Sequence, residues 1–204
     1  MRPDYDGRDK SWKAAAMADY LQLPPDLPAP EDDGAADHLA GLAVPALSLP
    51  STGGGETGLA ALAGGLLVAY LYPRTGVPGE PLPTGWDEIP GARGCTPQSC
   101  AYRDGLAEFE RLGARVVGIS AQGPGEQREF AAREQIPFPL LSDPTLRLAA
   151  GLRLPTFEVA GMTLYRRLTF VAEAGRVVKA FYPVFPPDRD AEHVLSWLAE
   201  RAGG

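Results

Sequence analysis

The run LLVAYLYP, Leu66 to Pro73, limits what this chain can become more than any other stretch. Leucine, valine, alanine and tyrosine follow one another without polar alternation, so a strand made from them needs cover on both faces. The run is β-prone and ends at proline, which marks it as a buried central strand. RVVGIS, Arg115 to Ser120, is a second strand of the same kind. A helical segment lies between the two, and a right-handed crossover then sets that helix against the sheet.

The remaining segments fit the same scheme. PGEQREFAAREQI, Pro124 to Ile136, reads as a helix, and FPLLSD, Phe138 to Asp143, as a short strand whose Asp143 caps the helix PTLRLAAGLRL. RLTFVAEAGRVVKAFYP, Arg167 to Pro183, is two β-prone runs joined at Glu173-Ala174-Gly175, a hairpin. AEHVLSWLAER closes the chain with an amphipathic helix. Upstream, LAVPALSLPSTGGGETG gives a short strand broken by Pro45 and Pro50, then a Gly-rich turn. Trp12, Ala16, Met17, Tyr20 and Leu23 recur at helical spacing and predict a helix over Asp9 to Leu23. Its apolar stripe covers either the main domain or a second subunit. Leu23 to Asp37 is Pro-rich, then acidic, and reads as a linker. The expected organisation is an N-terminal helix and linker over 1–39 and a single α/β domain over 40–204, with a mixed central sheet flanked by helices.

The chemistry concentrates in GARGCTPQSCAYRD, Gly91 to Asp104, which holds the only two cysteines, Cys95 and Cys100. Thr96 is an acceptable N-cap, Pro97 suits the first helical position, and Gln98 and Ser99 fill the first turn. Cys95 then sits just before a helix N-terminus, where unpaired N–H groups and the helix dipole favour a thiolate. Cys100 lies one turn inside, with Arg103 beyond. Five residues of α-helix rise about 7.5 Å with side chains roughly 140° apart, whereas a disulfide needs Cα atoms within about 7 Å. The two sulfurs join only if the first turn unwinds. The site falls at the carboxyl edge of the first central strand, where open α/β sheets bind ligands. Together with the element order, this points to a thioredoxin-like fold.

Composition excludes other classes. The formal net charge is −7 and no basic stripe is present, against nucleic acid or an anionic membrane as partner. The N-terminus is polar and charged, without a secretory pattern, and the longest apolar run is far too short to span a bilayer. Two cysteines make no disulfide framework, so a reducing compartment, the cytoplasm, is the expectation. His38 and His193 are far apart with no neighbouring ligands, which argues against zinc. Asp104 and Asp143 read as caps or ion-pair members.

Taken together, YLYP, GCTPQSCAYRD, VVGIS, FPLLSD and RLTFVAEAGRV resemble the peroxiredoxin family, and within it the bacterioferritin-comigratory-protein (PrxQ-like) branch. The resemblance runs from about Leu42 to Leu198. It implies that Cys95 is the peroxidatic cysteine, Cys100 the resolving one, and Arg167, three residues before Phe170, the arginine that holds the thiolate. Arg166 is the register alternative. It further implies a thiol-dependent peroxidase acting on hydrogen peroxide or organic hydroperoxides, without metal or organic cofactor. The Cys95 sulfenic acid would be resolved by Cys100, and the disulfide reduced by thioredoxin or a glutaredoxin-like donor, in a monomer or homodimer. Two other classes stand beside this one: a general thiol–disulfide oxidoreductase, which lacks its usual Cys-x-x-Cys spacing here, and a non-catalytic redoxin-like peroxide sensor.

One departure stands upstream. The family carries proline seven residues and threonine three residues before its peroxidatic cysteine, and here those positions hold Glu88 and Ala92. An insertion over 76–91 would leave Pro73 and Thr75 as the displaced pair. Either Thr75 does the threonine's work, with Trp86 covering the pocket, or Thr75 merely ends a strand and Arg93 helps hold the thiolate.

Overall fold

The computed structural model describes residues 23, 24 and 26–203. The helix expected over Asp9 to Leu23 lies outside them except for Leu23 itself. In chain order the elements are β1 (Ser48–Pro50), β2 (Glu56–Gly58), α1 (Leu59–Leu62), β3 (Leu66–Leu71), α2 (Cys95–Asp104), α3 (Leu106–Arg111), β4 (Ala114–Ser120) and α4 (Pro124–Arg133). Then follow β5 (Leu140–Ser142), α5 (Arg147–Leu152), β6 (Thr156–Val159), β7 (Met162–Tyr165), β8 (Leu168–Glu173), β9 (Arg176–Phe181) and α6 (Asp190–Gly203).

The central sheet has the order β5-β4-β3-β8-β9. β3 pairs in parallel with β4 and antiparallel with β8, so the two apolar runs are neighbours at the middle of a mixed sheet. Successive β3 side chains alternate between two cores. Leu67, Ala69 and Leu71 join Leu39, Leu49, Leu59, Leu148 and Phe170 on one face. Val68, Tyr70 and Tyr72 join Tyr102, Phe109, Phe130 and Val194 on the other. That second face lies under α2, α3, α4 and α6. Burial on both faces is why the run carries no polar residue. Among the described residues no helix is long and apolar enough to cross a membrane.

Several boundaries differ from expectation for local reasons. The cysteine helix, expected from the pattern to run to about Leu112 and its stop at Gly113, breaks at Gly105 and restarts as α3. α4 stops at Arg133, short of Ile136, because Gln135 adopts a left-handed φ of 54°. β5 begins only at Leu140, since Pro137 and Pro139 have no N–H for a ladder. The β6–β7 hairpin escaped the pattern reading: its strands are four residues each and turn at Ala160-Gly161, which is not one of the strong hairpin dipeptides. Asp143 does cap α5, accepting from the N–H groups of Arg147 (3.0 Å) and Leu148 (2.8 Å) and from the Tyr165 hydroxyl.

Gly118 in β4 marks the tightest packing beneath α2. A Cβ there would stand 2.6 Å from the Tyr70 ring and 2.7 Å from Leu140, and neither buried neighbour has room to yield. Gly118→Ala should therefore cost about 1–3 kcal/mol, read as a lower urea midpoint with an unchanged m-value.

Candidate active site

The turn that presents Cys95 begins at Gly94, not Thr96. Gly94 is the N-cap with φ 101°, a left-handed conformation, and Cys95 is the first residue of α2. A Cβ on Gly94 would overlap Pro187 and lie 2.8 Å from a Leu23 methyl, so glycine is required twice over. Thr96 and Pro97 follow inside the helix, where the missing N–H of proline costs nothing in the first turn. The helix thus begins two residues earlier than cap chemistry alone implied, with Cys95 itself at its first position.

Cys95 is buried, at 3% exposure, and its sulfur lies 3.3 Å from Nη2 of Arg167. It also approaches the Ala92 carbonyl at 3.6 Å. Arg167 is itself buried and immobilised by acceptors: Nε donates to Gly91 O (3.3 Å), Nη2 to Ala92 O (3.2 Å) and Arg93 O (3.1 Å), and Nη1 to Gln98 Oε1. The guanidinium therefore joins the end of the 76–91 excursion to α2 and presents a fixed positive charge to the thiol. Arg166 takes no part in these bonds. It lines a hollow with Tyr182, Pro30 and Phe157 that Arg167 also borders.

Behind the guanidinium lies a second layer. Gln98 Nε2 donates to Asp190 Oδ2 at 2.8 Å, and the same oxygen accepts from Tyr102 (2.9 Å) and Thr169 (2.7 Å). Burial pushes the Asp190 carboxyl above its ordinary range, while the Thr169, Gln98 and Tyr102 bonds and the Arg167 charge pull against it. Gln98 and Tyr102 are i and i+4 on one face of α2. Sequence reading treated Gln98 as filler in the helix and missed Asp190, Tyr102 and Thr169. The available signal was a pair of polar side chains on the face that buries Tyr102.

Cys100 lies one turn into α2 and is also a free thiol. Burial pushes its thiol up, with Arg103 pulling down and Glu134 and Asp104 adding to the rise. Its sulfur is 3.9 Å from a Glu134 carboxylate oxygen. Cys100 therefore waits as a protonated thiol.

Thr75 is buried, with its polar groups bonded to Gln122. Its N–H (2.8 Å) and hydroxyl (2.9 Å) both donate to Gln122 Oε1, and Gln122 Nε2 returns a bond to Thr75 O (3.3 Å). The residue does not line the cavity beside Cys95, although its neighbours Arg74 and Gly76 do. Arg93 also lines that cavity, but its guanidinium pairs with Asp87 at 2.8 Å. Trp86 and Leu82 from the excursion, with Leu23, supply the apolar wall. The space enclosed is about 20 Å³, room for roughly one water-sized group. His38 Nε2 donates to the Leu152 carbonyl at 2.9 Å, and among the described residues no group of three or more His, Cys, Asp or Glu side chains is placed to hold a metal.

A buried cysteine at a helix mouth under an arginine, with a second thiol one turn on and a five-stranded mixed sheet beneath, is the arrangement of a thiol redox protein. Comparison with known proteins places it further. The redoxin family model matches residues 39–195. The chloroplastic peroxiredoxin Q of Populus jackii is 33% identical over 159 residues, covering 78% of this chain and 67% of that one. That of Gentiana triflora is 31% identical over 76% of this chain and 64% of its own length, so the match spans about two thirds of these plant relatives. A putative peroxiredoxin of Mycobacterium tuberculosis is 35% identical, covering 69% of this chain and 82% of its own. Among solved structures, peroxidoxin BcpB of Mycobacterium tuberculosis superposes with a TM-score of 0.64 at 28% identity, covering 79% and 96% of the two chains. Peroxiredoxin Q of Xanthomonas campestris gives 0.63 at 30%, covering 80% and 98%. This chain belongs to the redoxin family, in its peroxiredoxin Q-like branch.

The Arg167 geometry has a direct test. Arg167→Gln removes the cation that favours the ionised sulfur. Iodoacetamide labelling of Cys95 at pH 7 should then slow by about tenfold or more, read by mass spectrometry, with Cys100 labelling unaltered.

Proposed function

We propose that this peroxiredoxin reduces hydroperoxides at Cys95 and closes its cycle through Cys100. The observation that carries the reading is the Arg167 Nη2 to Cys95 Sγ contact of 3.3 Å inside a water-excluding pocket. The guanidinium sets a fixed positive charge beside the sulfur, an arrangement suited to a thiolate and to the charge that develops as the O–O bond breaks. The thiolate attacks the terminal oxygen of ROOH. The S–O bond forms as the O–O bond breaks, and the departing RO⁻ takes a proton to leave as water or an alcohol. Cys95 is then a sulfenic acid.

Cys100 next attacks the oxidised sulfur, an S–S bond replaces the S–O bond, and water leaves. Wound α-helix keeps the two side chains apart, about 7.5 Å along the axis, so the first turn of α2 opens for this step. An external dithiol of the thioredoxin or glutaredoxin kind then takes up the disulfide and becomes oxidised itself. Thr75 contributes by clasping the end of β3 to Gln122, which holds the cavity wall at Arg74 and Gly76.

Substrate size follows from the cavity. Hydrogen peroxide fits the space beside Cys95 directly, whereas the organic group of an alkyl hydroperoxide must lie outward against Leu82 and Trp86. A bacterioferritin comigratory protein of Xanthomonas campestris has a structure titled for alkyl peroxide reduction; here the 76–91 excursion sets the width of that path.

Stopped-flow oxidation with hydrogen peroxide and cumene hydroperoxide tests the reading. Cys95→Ser should abolish reaction with either. Cys100→Ser should keep the first oxidation at near wild-type rate and stop turnover under a thioredoxin system; full turnover by that variant would remove Cys100 from the cycle. Trp86→Ala should raise the rate with cumene hydroperoxide relative to hydrogen peroxide by about threefold or more, the effect of losing one apolar wall.

A further inference from the structure

Opening the first turn of α2 requires specific contacts to break, and two of them come from one short stretch leading into the start of α6. Pro187 packs against Gly94 so closely that a Cβ there would overlap it. Three residues later Asp190, the first residue of α6, accepts from Gln98 Nε2 at 2.8 Å. The two ends of the turn that carries Cys95 are thus gripped by Pro187 and Asp190. Other ties remain: Arg167 donates to Gln98 Oε1 and to the Cys95 sulfur, and that sulfur approaches Ala92 O. Gln98 N–H makes the backbone bond to Gly94 O at 3.0 Å, Pro97 has no N–H to offer, and Tyr70 donates to Ser99 Oγ at 3.1 Å.

The next turn is held differently. Tyr102 is fully buried, stacks on Tyr70 at 4.4 Å and on Phe109 at 5.5 Å, and donates to the same Asp190 oxygen. The rest of α2 stays anchored by these rings if Gln98 lets go. A peel of residues 95–99 that stops before Tyr102 would free Cys95 while leaving the anchored part of α2 in place.

We propose that Asp190 is the latch of the peroxidatic turn: its carboxylate, through Gln98, sets the balance between the wound state that reacts with peroxide and the unwound state in which Cys95 reaches Cys100. Asp190 Oδ2 is a buried acceptor shared by Gln98, Tyr102 and Thr169, so unwinding the turn means surrendering the Gln98 bond to the start of α6. Local opening of this kind is governed by the few contacts that the segment must surrender. Asp190 touches neither sulfur and is a positioning residue. The inference rests on the assignment of Cys95 and Cys100 made above.

Asp190→Asn keeps the volume and weakens the latch. In reduced protein, amide hydrogen exchange over residues 96–100 should quicken by about tenfold while β3, β4 and β8 keep their protection. In peroxide kinetics, conversion of the sulfenic acid to the disulfide should accelerate at least threefold, and the first oxidation should slow. The hydrogen peroxide dose that drives Cys95 to sulfinic acid should rise correspondingly. Gln98→Met, which can neither donate to Asp190 nor accept from Arg167, should reproduce the faster exchange. Combined with Asp190→Asn it should add little, because the two residues act as one unit. Exchange over 96–100 within twofold of wild type in both variants overturns the latch, as does disulfide formation unchanged or slower. If wild-type protein forms no Cys95–Cys100 disulfide, the assignment of Cys100 fails instead, and the exchange data still decide the latch. Should Asp190→Asn not accumulate as folded protein, Gln98→Met alone carries the exchange test.

Discussion

The structure around Cys95 depends on a buried guanidinium. Arg167 carries a full charge into a site shielded from water, a placement that is costly unless its donors are satisfied. It meets that requirement with three backbone carbonyls at the end of the 76–91 excursion, one glutamine oxygen and the cysteine sulfur. No carboxylate touches it among these partners. Its counter-charge, Asp190, is reached only through Gln98. That separation has a chemical consequence: a carboxylate in direct contact would compete with the thiolate for the cation, whereas an intervening amide leaves the charge available to sulfur.

The sheet supplies the precision. Arg167 precedes β8 by one residue and Thr169 lies within it, so by strand alternation both point beneath α2, while Leu168 and Phe170 point into the opposite core. β8 pairs with β3, and β3 with β4, which fixes the floor on which Tyr70 and Tyr102 stack. Above that floor Gly94, Pro187 and Leu23 meet at a distance only glycine tolerates. The reactive turn thus rests on Pro187, Asp190 and the buried tyrosine floor. A segment that must change shape during a reaction is well served by weak local ties and a stiff surround.

Much of this was legible along the chain. Unbroken apolar runs at Leu66–Leu71 and Val116–Ile119 demanded a doubly covered sheet. The spacing of Cys95 and Cys100 on a helix required an unwinding step, and RRLTF contained its own register: alternation through the buried Leu168 and Phe170 puts Arg167, not Arg166, on the side facing α2. Other features left no trace in the residue pattern. Thr75 matched a family position by order, yet its hydroxyl is committed to Gln122, a partner 47 residues away. Trp86 was expected over the pocket on the insertion reading and does line the cavity, although the Pro- and Gly-rich stretch around it carries no periodicity.

By itself the sequence determined the layered α/β architecture, the pair of thiols and the helix that carries them, because periodicity, capping and proline chemistry act over a few residues. Only the tertiary structure decided what surrounds the sulfur. The contacts of Arg167 with residues 91–98, and of Asp190 with Gln98, join segments 69 to 92 residues apart. Their existence depends on how β8 and the start of α6 pack against α2, which no local propensity encodes.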